Sequence, residues 1–123
     1  MSAYEREIQN YDEAIRLNPL DASAYNNRGN AYGNLGQYER AIQDFNEAIR
    51  LNPQEAKAYY SRGVAYRHLG QFERAIEDFD EAIRLNPQYA EAYYTRGAVY
   101  GALGKSIEAE RDVAKAKDLG YPP

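Results

Sequence analysis

Residues 22–55 and 56–89 of this chain are identical at 24 of 34 positions, and residues 90–123 continue the register more loosely. Self-similarity at a fixed period of roughly 20–50 residues means one supersecondary unit stacked on copies of itself, each burying a face that its neighbour supplies. Ahead of the first full unit, Tyr4-Glu5-Arg6 and Asp12-Glu13-Ala14-Ile15-Arg16-Leu17-Asn18-Pro19 match the second half of a unit, as in Tyr38-Glu39-Arg40 and Asn46-Glu47-Ala48-Ile49-Arg50-Leu51-Asn52-Pro53. The expected layout is one domain over 1–123: a half-repeat at 1–21, repeats at 22–55 and 56–89, and a last repeat at 90–123.

Each unit holds two apolar stretches with helical spacing, separated by Leu35-Gly36-Gln37, Leu69-Gly70-Gln71 and Leu103-Gly104-Lys105. Glycine there can take the left-handed conformation that ends a helix. Asn-Pro at 52–53 and 86–87 stops the second stretch, because proline disfavours helical geometry in the residue before it and lacks an N–H. The unit is therefore a helical hairpin, and the chain should contain seven helices near 5–17, 22–35, 38–51, 56–69, 72–85, 90–103 and 106–118.

Gly29, Gly63 and Gly97 sit inside the first helix of each unit, although glycine in a helix interior costs about 1 kcal/mol relative to alanine. Close approach of the second helix is the expected compensation, with Ala41, Ala75 and Ala109 as its small partners and the stripe Tyr25, Tyr59, Tyr93, Tyr32, Tyr66, Tyr100 as surrounding core. This stripe accounts for much of an unusual composition, 13 Tyr and no Trp. Arg28, Arg62 and Arg96 recur sixteen residues before Asp44, Asp78 and Asp112, a spacing that predicts an ion pair across each hairpin.

Ala-Tyr, Arg-Gly, Ala-Tyr, Leu-Gly, Ala-Ile, Phe, Ala-Ile and Asn-Pro at period 34 resemble the tetratricopeptide repeat family. In the first two units the family pattern is met at Tyr25, Gly29, Tyr32, Ala41, Ala48 and Pro53 and at their counterparts. The last unit departs from it, with Ser106 for Tyr38 and Phe72, Val113 for Phe45 and Phe79, and Tyr121 at the proline position. The resemblance implies a right-handed superhelical all-α solenoid that binds extended or helical peptides along its concave face. Some members carry a basic clamp for a partner's C-terminal carboxylate. Of the clamp positions only Asn30 matches; Asn26, Ser61, Glu91 and Thr95 stand at the others, so tail capture of that type is not expected.

In the last helix Ile42 and Ile76 become Glu110, and Ile49 and Ile83 become Lys117. Apolar positions turning charged mark a helix with no repeat after it, so 106–118 is expected to be a C-terminal cap.

The two matched units differ at ten positions, six of them Ser23/Lys57, Asn26/Tyr60, Asn27/Ser61, Asn30/Val64, Gly33/Arg67 and Asn34/His68. Steps of three, one, three, three and one place all six on one face of the first helix, the face free to line a groove. Read along the stack, the candidate lining is Asn26, Asn27, Asn30, Lys57, Tyr60, Ser61, Val64, Arg67, His68, Glu91, Tyr94, Thr95, Ala98 and Gly101. Amide and hydroxyl side chains can bond an extended peptide backbone, and Tyr60 with Tyr94 would form an aromatic ledge. The expected function is a scaffold or adaptor holding a protein or peptide partner. The alternative is a structural module that self-associates through its terminal helices, a homo-oligomer.

Other classes have little to stand on. A net charge of −4 repels phosphate backbones, which argues against nucleic acid and against a basic-groove RNA repeat. No apolar run approaches the roughly 20 residues needed to span a bilayer, and the first residues lack the apolar core of a signal peptide. With no cysteine in the chain, a cytoplasmic location is the expectation. The single histidine has no thiol to activate, so no enzyme is expected. Glu77-Asp78-Phe79-Asp80-Glu81 spreads its carboxylates around a helix axis instead of lining a cation loop, and no cofactor or metal is implied.

Overall fold

A computed structural model describes residues 1–122 of the chain. Among them are seven helices and no strand: α1 (Ala3–Leu17), α2 (Ala22–Asn34), α3 (Tyr38–Leu51), α4 (Ala56–His68), α5 (Phe72–Leu85), α6 (Ala90–Ala102) and α7 (Ser106–Asp118). Helix α1 begins two residues earlier than its apolar pattern. Ser2 and Glu5 form a capping box: the Ser2 hydroxyl accepts the Glu5 N–H at 3.1 Å and the Glu5 carboxylate accepts the Ser2 N–H at 3.0 Å.

The glycine turns end α2, α4 and α6 as expected. Gly36, Gly70 and Gly104 have φ of 76°, 74° and 77°. At the first of them the Gln37 N–H donates to the Tyr32 carbonyl and the Gly36 N–H to the Gly33 carbonyl, both at 2.9 Å, which satisfies the carbonyls left free at a helix end. At the other boundary asparagine acts together with proline: Asn52 Oδ1 accepts the Gln54 N–H at 3.3 Å, closing a turn that a continuing helix could not make.

Helices α2 and α3, α4 and α5, and α6 and α7 form three antiparallel hairpins, stacked through α3–α4 and α5–α6, while α1 packs on α2. The first helices also touch each other, α2 with α4 and α4 with α6, whereas α1, α3, α5 and α7 make no such contact among themselves. Three helices that converge while their partners splay must curve the stack, so α2, α4 and α6 line its inner side.

The interior is built largely of alanine, with Phe45, Phe79 and Val99 as its large buried side chains. The glycine contacts are closer than small-partner packing alone. A Cβ on Gly29 would lie 2.7 Å from Phe45 Cε1, and one on Gly63 would lie 2.8 Å from Phe79 Cε1. Ala41 contributes its backbone oxygen to the first contact, and the ring is the nearer atom. In the last hairpin, Val113 and the Asp112 Cβ replace that ring against Gly97.

The tyrosine stripe is structural, but it lies at the rim of the core. Tyr25, Tyr59 and Tyr93 are half-buried, and each hydroxyl donates to a carbonyl of the preceding loop, Pro19, Pro53 and Pro87, at 3.1 Å. Between the stripe's rings lie the arginines: the Arg62 guanidinium is 5.8 Å from the Tyr59 centroid and 6.0 Å from that of Tyr66.

The expected ion pairs are present and bidentate. Arg28 donates through Nε and Nη2 to the two Asp44 oxygens at 2.9 and 2.7 Å, and Arg62 and Arg96 do the same to Asp78 and Asp112. The remaining nitrogen turns to the helix that precedes the hairpin, α1, α3 or α5: Arg28 Nη1 meets Asp12, Arg62 Nη1 meets Asn46 and Arg96 Nη1 meets Asp80, each at 2.9 Å. That second attachment is new relative to the sequence.

Two helical glycines, one packed and one open, separate packing from propensity. Gly63→Ala should destabilise by about 1–3 kcal/mol, because Phe79 is fully buried and has nowhere to move. Gly33→Ala meets nothing within 4 Å and should be neutral or stabilising, up to about 1 kcal/mol. Chemical denaturation of both variants checks the pair, and equal effects would dismiss the ring contact as the reason for glycine at 63. Asp78→Ala should destabilise by about 3–5 kcal/mol, since it leaves a half-buried guanidinium without its partner.

Candidate functional site

Along the inner side, the space between α2 and α4 is open. One cavity of about 310 Å³ has a floor of Gly29, Ala41, Phe45 and Ala65 and walls that include Asn30, Ser61, Val64 and His68. A second, of about 250 Å³, is polar and bordered by Ser23, Asn26, Asn27, Asn52, Glu55 and Lys57. Eight of the expected lining residues thus border these two cavities: Asn26, Asn27 and Lys57 in one, and Asn30, Tyr60, Ser61, Val64 and His68 in the other.

Among the residues lining the larger cavity, the His68 ring stacks on Tyr38, with centroids 4.6 Å apart and planes 4° from parallel. Tyr38 was not among the expected lining residues. It belongs to the second helix, and its only sequence signal was a difference between units, Tyr38 against Phe72. Glu55 and Asn52, from the loop before α4, were likewise missed because loop residues fall outside a helical-face argument.

The next section, between α4 and α6, is filled. The Tyr60 ring lies 5.7 Å from that of Phe79 and 5.1 Å from that of Tyr89. Its hydroxyl is 3.2 Å from Thr95 Oγ1, which bridges α4 to α6. Tyr60 is therefore a packing residue, not half of an exposed ledge with Tyr94, and Thr95 is buried beneath it instead of facing solvent. A tyrosine on the inner face is long enough to reach the next helix, which its helical position alone does not reveal. Tyr94 is 40% exposed and meets Tyr121 edge-on at 5.2 Å, so the residue at the lost proline position covers part of the last section. Arg67, Glu91 and Gly101 are exposed and Ala98 is half-buried on the same side.

The electrostatics of the open section are mild. Lys57 and Glu55 both border the polar cavity, and no cluster of His, Asp or Glu suited to a metal occurs among the described residues. In the filled section, burial pushes the Tyr60 hydroxyl above its usual value of 10.0, opposed by its bond to Thr95, and burial raises Tyr89 as well. No helix among the described residues is long and apolar enough to cross a membrane.

Family models place this geometry. A tetratricopeptide repeat model matches residues 26–90, a second such model matches 79–111, and a TPR repeat model matches 3–36. The chain belongs to the tetratricopeptide repeat (TPR) family. Comparison with curated proteins gives no match. Among solved structures, one described as the crystal structure of MamA is 26% identical with a TM-score of 0.87, over 98% of this chain and 75% of that one. MamA 41-end from Desulfovibrio magneticus RS-1 is 25% identical with a TM-score of 0.87, over 94% of this chain and 66% of that one. The second TPR of Spaghetti (RPAP3), bound to the HSP90 peptide SRMEEVD, is 30% identical with a TM-score of 0.79, over 91% and 96%. The chain spans as little as 61% of the MamA structures it matches.

The filled section yields two expectations. Tyr60→Ala should cost about 2 kcal/mol or more of stability, as loss of a packed aromatic does. A phenol that binds its proton more tightly when folded stabilises fully below its unfolded value, and that contribution is lost as pH rises further. Melting temperature should accordingly fall as pH climbs past about 10, and Tyr60→Phe should flatten the fall. A Tyr60→Phe profile parallel to the parent's would remove Tyr60 as the cause.

Proposed function

We propose that this TPR domain is a protein-interaction module, a binder and not a catalyst, which receives a segment of a partner polypeptide in the groove between α2 and α4. The observation that carries this is the open inner section: an apolar floor bordered by amide and hydroxyl groups, flanked by a polar cavity. Asn26, Asn27, Asn30, Lys57, Ser61, Val64 and His68 are the proposed contacts, with Arg67, Glu91, Tyr94 and Ala98 further along the same side. Such groups suit an extended backbone, whose N–H and C=O groups need partners, and the apolar floor suits one anchoring side chain. The similar RPAP3 domain, bound to a peptide, supports the reading at the level of fold.

Selection from a random peptide library displayed on phage tests it. Selected peptides should lose at least tenfold in affinity against Asn30→Trp and Val64→Arg, which fill or charge the larger cavity without touching the ion pairs. Peptides that bind both variants as tightly as the parent would place the site elsewhere.

A second reading is favoured by apolar residues at both ends of the stack. Leu17 of α1 and Ile107 of α7 are each 70% exposed, and Val113, standing where phenylalanine packs in the other hairpins, is 41% exposed. Such faces support self-association, with Glu110 and Lys117 of a capping α7 acting against it. Lys117→Ile should then raise the average molar mass in sedimentation equilibrium, and a monomer in parent and variant alike would set this reading aside.

A further inference from the structure

The second repeat shows what fits the space left open in the first. At a shift of 34 residues, Tyr60 stands for Asn26, Phe79 for Phe45, Thr95 for Ser61 and Tyr89 for Glu55. Between α4 and α6 the Tyr60 ring occupies the room beside Phe79 and its hydroxyl reaches Thr95. Between α2 and α4 the equivalent position carries Asn26, which is too short to cross. Phe45 and Ser61 then border one cavity, and Asn26 and Glu55 the other.

Asn26 Oδ1 is buried there without a hydrogen-bond donor, and no other buried side-chain polar atom among the described residues is left so. A buried acceptor lacking a donor is unfavourable, and ligand donors commonly satisfy such atoms. The open section therefore lacks two things: a flat ring beside Phe45 in the larger cavity, and a hydrogen-bond donor for Asn26 at the edge of the polar one. One side chain supplies both.

We propose that the groove between α2 and α4 takes a tyrosine side chain presented by a partner polypeptide. This rests on the groove reading above and names its anchor. The phenol ring takes the place beside Phe45 that Tyr60 holds beside Phe79, and the hydroxyl meets Ser61 as that of Tyr60 meets Thr95. A donor of the incoming residue, its phenol or its backbone N–H, satisfies Asn26 Oδ1.

The test uses the full chain, isotope-labelled, with N-acetyl-tyrosinamide and N-acetyl-phenylalaninamide as probes in NMR titrations. The tyrosine amide should shift the backbone signals of Asn26, Ser61 and Val64 progressively, with an affinity about fivefold above that of the phenylalanine amide, as one neutral hydrogen bond provides. Asn26→Tyr should raise the melting temperature and abolish the shifts, because it rebuilds the filled section. Ser61→Val should keep the fold and erase the preference between the two amides.

Equal affinities would overturn the tyrosine assignment while leaving the groove reading intact, as would library-selected peptides that need the groove but carry no tyrosine. Absence of shifts at these residues with both amides would also overturn it, and only failure of the peptide selection would remove the groove itself. Concentration-dependent shifts at Asn26 and Ser61 without any added amide would assign the space to a second copy of this chain, whose Tyr4 and Tyr94 are exposed, and would overturn the partner polypeptide.

Discussion

One guanidinium per repeat holds three helices together. Arg62 uses two nitrogens on Asp78 of its own hairpin and the third on Asn46 of the hairpin before, and Arg28 and Arg96 repeat the arrangement. The aspartates are buried, so taking them from water is unfavourable, and a bidentate pair in that position adds little net stability over an apolar substitute. What it adds is register. An alanine-rich interior would allow the helices to slide or rotate at modest cost, because small side chains interlock weakly. A planar fork that must meet two oxygens on one helix and one on another fits a single arrangement.

The last hairpin shows that the two functions, register and packing, are separable. Asp112 and Arg96 keep the full fork although Val113 has replaced the phenylalanine that fills the other hairpins. Gly97 still faces the second helix closely, now against the Asp112 Cβ and the Ala109 carbonyl. The end of the stack has thus relaxed in side-chain volume and exposed Val113, while the polar frame that orients α6 for the inner face is unchanged.

Most of this frame was legible in the sequence because it obeys local rules. The period gave the hairpins, Gly36 and Asn52-Pro53 gave their ends, and the sixteen-residue spacing gave the ion pair. The face of α2 and α4 that varies is also the face that lines the groove. Helical phase reports the direction in which a side chain leaves the helix, however, and not how far it travels or what awaits it. Asn26 and Tyr60 share a phase, yet one leaves a gap and the other closes it. Tyr38 and Glu55 border the cavities from a second helix and a loop, where the phase of the first helix carries no information. The attachment of Arg62 to Asn46 was hidden for a related reason: it joins residues sixteen apart in the other direction, across a boundary between hairpins, and asparagine in that place breaks the charge pattern that Asp12 and Asp80 would have shown.

With the frame fixed three times over, the inner positions are the ones at which the repeats can differ without cost to register. The second repeat shows a packed section: Tyr60, Tyr89 and Thr95 fill the room between α4 and α6, and the Tyr60 hydroxyl pairs with Thr95 Oγ1. The first repeat has the same helical hairpin and forgoes that packing, keeping an asparagine whose oxygen has no donor. In a chain whose repeats copy one another at 24 of 34 positions, an open section stands beside a closed one, and six of the ten differences lie along the inner face. A buried acceptor and a ring-sized void are unfavourable in the isolated domain and favourable once a ligand supplies the ring and the donor. On the proposed reading, the closed section carries stability and the open section carries binding.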